Sequence, residues 1–337
     1  MTIKDIARLS GCSIGTVSRA LNNHPDVSDK TRQRVLQVVE EQGFQPNSNA
    51  KHLKQQNGTG IAVIVKGTMN MLFAELVEKM QSLLNDANWD TSVFYIEEDE
   101  NEITYADRLC RERKPMGIIF LGGDVNLFRD GFSAISVPCV LLTNTAEDFN
   151  FRNLSSFAID DVKAAQQVIE LLVKKGHRNI AFLGGNINCS QITYRRLMGC
   201  KSACESLGVS FDVDKQCEPC RYDLKSAYSA TYKLIEHYPE ATVIFAVCDV
   251  VAMGAIRALR DMGKRVPEDI SVVGFDGIPM AEYFVPRLTT VRQDTVRLAE
   301  LGVDALLCNI IRNSPPVHGL VPFELTEGES VMEIPNS

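Results

Sequence analysis

Apolar positions along the chain fall into two regimes. Over the first 44 residues, Ile6, Leu9, Val17, Leu21, Val27, Val35, Val38 and Phe44 recur among mostly polar neighbours. Their spacing predicts three short helices closing on one small core. Thr2 and Asp5 form a pair resembling a capping box, and Gly11 ends the first helix. Ser13 caps a second helix from Ile14 to about Asn22, and Asn22–Pro25 is a loop. Ser28 caps a third helix, which runs to Gln42 and stops at Gly43.

Beyond a polar, glycine-containing boundary at 54–60, the pattern changes. Apolar runs at 61–65, 91–96, 117–121 and 138–142 alternate with helical stretches near 72–87 and 102–113. The pattern resumes with strands at 179–185, 242–247 and 270–276, and helices near 161–175, 193–207, 225–237 and 250–262. Such alternation predicts an α/β body of two Rossmann-like parallel-sheet lobes with helices on both faces. Ligands in such sheets sit outside the carboxyl ends of the strands. That puts Lys66–Phe73, Gly122–Asp124, Thr143–Thr145, Gly184–Ser190, Cys248–Asp249 and Asp276–Gly277 around one cleft.

The 337 residues suffice for two or three domains, and 45% apolar with 23% charged residues is ordinary for a soluble protein. No apolar run approaches the ~18 residues of a membrane span. The N-terminus lacks the apolar core of a signal peptide, so a cytoplasmic protein with no membrane partner is expected. The ten cysteines are then expected to be mostly reduced thiols. The net charge of −8 argues against a binder that covers nucleic acid with its whole surface. Residues 1–57, however, carry eight basic against five acidic side chains, leaving −11 for the rest. A basic head on an acidic body suits contact with phosphates through the head alone.

The tight spacing of the first two helices is that of a helix-turn-helix. The second helix would present Ser13, Ile14, Gly15, Thr16, Ser18 and Arg19 outward. Arg19 can fork onto guanine, Ile14 can meet a thymine methyl, and Gly15 allows close approach. Thr16, Ser18 and the first-helix N-terminus at Thr2 suit phosphates. On pattern alone, a small bundle used for protein contact stays open.

Residues 2–22 (TIKDIARLSGCSIGTVSRALN) and 27–53 (VSDKTRQRVLQVVEEQGFQPNSNAKHL) resemble the head and hinge of the lactose-repressor (LacI/GalR) family of transcription regulators. By that resemblance Ile14, Gly15 and Arg19 read bases, and Asn47, Ala50, Lys51 and Lys54 belong to the DNA-contacting hinge. Leu53 stands where the family wedges a leucine into the minor groove. The family's Ala-Arg-x-Leu is here Ala50-Lys51-His52-Leu53, and Lys keeps the charge without the fork.

The body resembles the same family in LFAELVEKM, AIDDVKAAQQVIELLVKKGHRNIAFLGG, RRLMGC, DVVAMGAIRALRDMGKRVPEDISVVGFDG and RLTTVRQD. This implies a periplasmic-binding-protein-like core. The implied division is a head at 1–46, a hinge at 47–58 and a core at 59–337. Within the core, the N-lobe holds 60–159 and 292–320, and the C-lobe 160–291 and 321–337.

The resemblance also implies an effector set: Leu72 and Phe73 on the first-lobe wall, Asp160 at a lobe crossover, then Arg196, Tyr222, Asp249 and Asp276. An arginine fork with carboxylates suits a hydroxyl-rich ligand, and aromatic faces suit a ring. The plainer reading makes Phe73 core and Asp160 and Asp249 helix caps. Cys248 stands where sugar-sensing members often carry asparagine, and Glu327-Gly328-Glu329-Ser330 where Arg-x-Ser is usual.

Other signals point elsewhere. Cys200, Cys204, Cys217 and Cys220 have a zinc-like spacing, but the first two fall on a predicted helix where small apolar residues fit. The turns LGGD (121–124) and LGGN (183–186) match no phosphate-binding motif. The histidines are dispersed, with His177 in a helix-to-strand turn, and EEDENE (97–102) reads as a solvated turn. No catalytic residue, metal or cofactor is therefore expected. The reading is a homodimeric repressor on pseudo-palindromic double-stranded operator DNA, controlled by a small-molecule effector such as a sugar or sugar derivative. The alternatives are a small-molecule binding protein without gene control, and an enzyme acting on sugars or nucleosides.

Overall fold

The computed structural model describes residues 3–21, 27–42, 60–67, 70–185 and 190–335. The chain divides into two compact units, 1–58 and 59–337. In the first unit, helices α1 (Ile3–Ser10), α2 (Ile14–Leu21) and α3 (Asp29–Glu41) bury Ile6, Ala7, Val17, Ala20, Val27 and Val35. Leu9, expected in this core, is instead 50% exposed. The inward face of α1 runs through Ile6, Ala7 and Ser10, which turns Leu9 outward.

The second unit follows in chain order. Strand β1 (Gly60–Lys66), α4 (Met71–Asp86), β2 (Asp90–Ile96), α5 (Glu102–Arg113), β3 (Gly117–Leu121), α6 (Val125–Gly131), β4 (Cys139–Leu142) and β5 (Leu154–Ala158) build the first lobe. The second lobe holds α7 (Asp161–Lys174), β6 (Ile180–Leu183), α8 (Gln191–Ser206), α9 (Val213–Gln216), β7 (Cys217–Glu218), α10 (Leu224–His237), β8 (Val243–Ala246), α11 (Asp249–Asp261), β9 (Ser271–Asp276), α12 (Pro279–Tyr283) and β10 (Thr289–Gln293). Helix α13 (Thr295–Arg312) and β11 (His318–Leu320) return to the first lobe, and β12 (Phe323–Thr326) to the second.

Each lobe has a six-stranded sheet, ordered β11-β5-β4-β3-β1-β2 and β12-β10-β9-β8-β6-β7. The pairs are parallel except β10 with β12. The α/β class and the two lobes thus match the sequence expectation. The return crossing was expected at 292. Strand β10 stays paired to β9 through Arg292 and to β12 through Gln293, so the chain leaves the second sheet at Asp294, which caps α13.

Pattern and structure agree best where helices are amphipathic. Helix α7 buries Ala164, Ala165, Val168, Ile169 and Leu172 on one stripe, and Asp160 accepts from the Lys163 amide at its start. Fully burying a valine, isoleucine or leucine side chain contributes about 1.5–3 kcal/mol. Helix α6, strand β5 and the long helix α13 had no counterpart in the pattern reading. Strand β5 is buried on both faces: α13 packs over the face of Ser155 and Phe157, while Leu154 and Ser156 face the other core, where Ser156 accepts from the Ala146 amide and meets His318 Nδ1 at 2.8 Å.

Two loose ends of the sequence find physical accounts. His177 is buried and joins the Thr242 hydroxyl at 3.0 Å to the Met332 carbonyl at 3.1 Å, tying the tail to the second lobe. Ser330 is fully buried; it donates to the Val272 carbonyl and accepts from the Thr289 amide.

Candidate functional site

In the head, Ser13 accepts from the Thr16 amide at 3.0 Å, the expected cap of α2, and its hydroxyl lies 2.8 Å from that of Thr16. Gly15 and Arg19 are exposed one turn apart. A Cβ built on Gly15 would lie 3.7 Å from the Arg19 guanidinium, so the arginine runs back along the helix over the bare glycine. The backbone of Ile14 and Ser18 lies in α2. Thr2, Asn47, Ala50, Lys51, Leu53 and Lys54 lie outside the described residues.

In the body, a cavity of about 360 Å³ opens between the lobes at the carboxyl ends of the strands. Lys66, Gly67, Asn70, Phe73, Glu98 and Gly122–Asp124 line it from the first lobe. Ser190, Ile192, Pro219–Tyr222 and Ser226 line it from the second. Phe73 is mostly buried, yet its ring faces the cavity across Gly122, where a Cβ would collide with it. The Tyr222 hydroxyl is 2.9 Å from Ser190 Oγ and 2.6 Å from Thr193 Oγ1, and burial pushes its pKa up to about 12. The phenol end is thereby locked into the second lobe while the residue lines the cavity.

Both cations on the described cavity wall are paired. Lys66 Nζ lies 2.5 Å from Glu102, which is 1% exposed and also accepts from the Asp124 amide. Arg221 Nε lies 3.3 Å from Glu98 Oε2 across the lobe boundary. A second contact between lobes runs from Arg195 Nη2 to Thr145 Oγ1 at 3.0 Å.

Of the expected effector residues, Phe73 and Tyr222 line the cavity, and the other five do not. Leu72 is buried in the core and Asp160 caps α7. Arg196 and Asp276 are buried together behind the wall. Arg196 donates to Asp161 at 2.8 Å and to the Val247 carbonyl, lies 3.5 Å from Asp276, and stacks 3.5 Å over the Phe275 ring. Burial pulls the Arg196 pKa down, but Asp161 and Asp276 together hold it above its ordinary value. Burial raises Asp276 to about 6 against the pull of Arg196.

Asp249 is fully buried, accepting from Thr290 Oγ1 at 2.6 Å and the Ile278 amide at 2.9 Å. It opens α11 but does not cap it; Cys248 holds the cap position without a side-chain bond. Asp249 thus staples α11 to the loop after β9, a role the cap reading missed. Cys200 and Cys204 are packed inside α8. Among the described residues, no three His, Cys, Asp or Glu side chains are grouped to hold a metal ion.

Sequence reasoning missed Glu98, Glu102 and Arg221. The first two were hidden in the acidic run read as a solvated turn. The third had no motif, because its partner lies 123 residues away. The expected helix near 102–113 placed Glu102 at its start, but a run of like charges gives no sign that this side chain turns inward. Asn101, which caps α5, is the one local signal that could have found it.

Comparison with known proteins agrees with this architecture. Residues 2–47 match the model for bacterial regulatory proteins of the lacI family, and 144–331 that for the periplasmic binding protein-like domain. The HTH-type transcriptional regulator MalR of Clostridium butyricum is 35% identical, covering 99% of this chain and all of the relative. The ribose operon repressor of Haemophilus influenzae is 28% identical over 92% of each chain. The crystal structure of the Lac repressor dimer bound to operator and the anti-inducer ONPF superposes with a TM-score of 0.79 at 25% identity, covering 98% of this chain and 99% of that one. No helix among the described residues is long and apolar enough to cross a membrane. With its helix-turn-helix head and two-lobed body, the chain belongs to the lacI family of DNA-binding transcription regulators.

Proposed function

We propose that the protein acts in the cytoplasm as a homodimeric repressor without catalytic activity, and that a neutral, hydroxyl-rich saccharide in the cavity changes its affinity for operator DNA. In the head, Ser13, Ile14, Gly15, Thr16, Ser18 and Arg19 meet the major groove, with Arg19 on guanine. Thr2 joins them on phosphate. Asn47, Ala50, Lys51, Leu53 and Lys54 act at the minor groove. The dimer and the operator are supported by the Lac repressor, solved as a dimer on its operator.

The observation that carries the effector class is the pairing of both cations on the described cavity wall. Lys66 is committed to Glu102, and Arg221 to Glu98. A phosphorylated ligand that used Lys66 would take it from a carboxylate that is 1% exposed. Leaving one member of a buried pair uncompensated costs about 3–5 kcal/mol. A neutral polyol meets no such penalty, and Asp124, Asn70 and Ser190 offer it hydrogen-bonding groups beside the aromatic walls Phe73 and Tyr222. Arg196 acts on Tyr222 through its charge, and Asp276 lies beside Arg196, while Leu72, Asp160 and Asp249 hold the framework of their own lobes.

Two measurements test the reading on the full chain. Selection from random duplexes should return a pseudo-palindromic site. In a thermal-shift panel, maltose, cellobiose or ribose should raise Tm where glucose 6-phosphate and hypoxanthine do not. Stabilisation by the phosphate ester or the nucleobase alone refutes the effector class. Failure to retain any duplex refutes the operator reading.

A further inference from the structure

The clasp at the cavity mouth has a consequence beyond pairing charge. Glu98 follows β2 in the first lobe, and its carboxylate holds the second lobe twice. Oε1 accepts from the Tyr222 backbone amide at 3.2 Å, and Oε2 from Arg221 Nε at 3.3 Å. The stem of Glu98 lies over Gly67, where a Cβ would sit 3.6 Å from its Cγ. Gly67 has φ +94°, a conformation that side-chain-bearing residues rarely adopt, so this platform favours glycine. On the other side, the Arg221 amide donates to Ser226 Oγ at 2.9 Å, tying the segment to α10. Tyr222 is therefore held at both ends: its hydroxyl by Ser190 and Thr193 of its own lobe, its amide by Glu98 of the other. Glu97 and Asp99 also act on the Arg221 charge, so the whole acidic turn favours a guanidinium over the mouth.

We propose that Glu98 is a positioning residue for ligand capture: its clasp on Arg221 and Tyr222 closes the mouth and sets the Tyr222 ring against the cavity. This rests on the cavity being the effector site, but the clasp itself can be tested without an effector. The ion pair is partly exposed, with Glu98 31% and Arg221 56% accessible, so salt screens it. Closure should weaken with salt even when the ligand is uncharged.

Hydrogen exchange on the ligand-free full chain, followed by mass spectrometry of peptides covering 219–224, reads the Tyr222 amide directly. Glu98→Ala should speed its exchange by about tenfold, the scale of one hydrogen bond to a charged group. Glu98→Gln keeps an acceptor for the amide but loses the ion pair. It should show a smaller acceleration and no longer respond to added salt, whereas the wild type does. Labelling of the wall thiol Cys220 by N-ethylmaleimide should rise in parallel, reporting the open mouth. Wild-type exchange in Glu98→Ala, an unchanged Cys220 labelling rate, or an undiminished salt response in Glu98→Gln overturns the proposal. If these effects appear but maltose, cellobiose and ribose all fail to bind, the clasp stands and the saccharide reading falls.

Discussion

Asp249 brings a carboxylate into the interior of the second lobe among neutral partners, a threonine hydroxyl and a backbone amide. Burial, with Asp276 adding to it, raises its pKa to about 8. The folded chain then holds a proton that the unfolded chain releases near pH 4. Folded-state stability therefore declines as pH rises from about 4 to 8. Asp276, at about 6, shares only the lower part of that window. In Asp249→Asn, the Thr290 hydroxyl can turn to accept. That variant should lose the wild type's decline between pH 6 and 8, a difference on the order of 2 kcal/mol. Urea midpoints at the two pH values measure it; equal slopes for the two proteins would refute the assignment. At the other end of the chain, Arg19→Ala should cost about 1–3 kcal/mol at one base pair and relax specificity there. Operator titrations with each base substituted in turn check this. The exposure of Arg19 beside Gly15 was legible because helix spacing and an uncovered neighbour are local facts. Glu98 was not, because its meaning depends on a partner brought from the other lobe.

Helices α7 and α8 show how one residue sets the distance between elements. A Cβ on Gly199 would overlap the Val162 carbonyl and lie 2.8 Å from the Ala165 Cβ. The two helices meet at van der Waals distance because α8 lacks a side chain there. Gly199→Val should destabilise the second lobe by about 1–3 kcal/mol through overpacking, read as a lower midpoint in chemical denaturation. An unchanged midpoint would show that the helices part easily. The pattern located α7 and α8 well, since an apolar stripe of period 3.6 is carried by the helix itself. It gave no hint of β5, whose serines become interior only once α13 covers one face of the strand and the 146 and 317–318 segments supply their hydrogen bonds. A polar residue in a strand reads as exposed until the element that covers it is known.

At the scale of the molecule, the chain separates function as it separates mass. Removing residues 1–58 should leave 59–337 folded, since that unit closes its own cores. The truncated protein should keep ligand-induced stabilisation and lose operator binding, measured by thermal shift and gel mobility. Aggregation of the truncated chain would show that the body depends on the head. The two-lobed plan was visible in advance because parallel sheets need alternating strands and helices, and that alternation is written along the chain. So were the basic head, the cap at Ser13 and the candidacy of Arg19, all set by neighbours within a few residues. What tertiary structure alone decided is which side chains face the cavity. Arg196 and Asp276 carry the chemistry of ligand contacts yet are engaged in the interior, Arg196 chiefly by Asp161 and Asp276 by Gln293, while Glu98 and Arg221, unremarkable in sequence, meet across the cavity mouth. The reason is physical. A charged group takes its role from the nearest opposite charge and from its exposure to water, and both are properties of the folded neighbourhood.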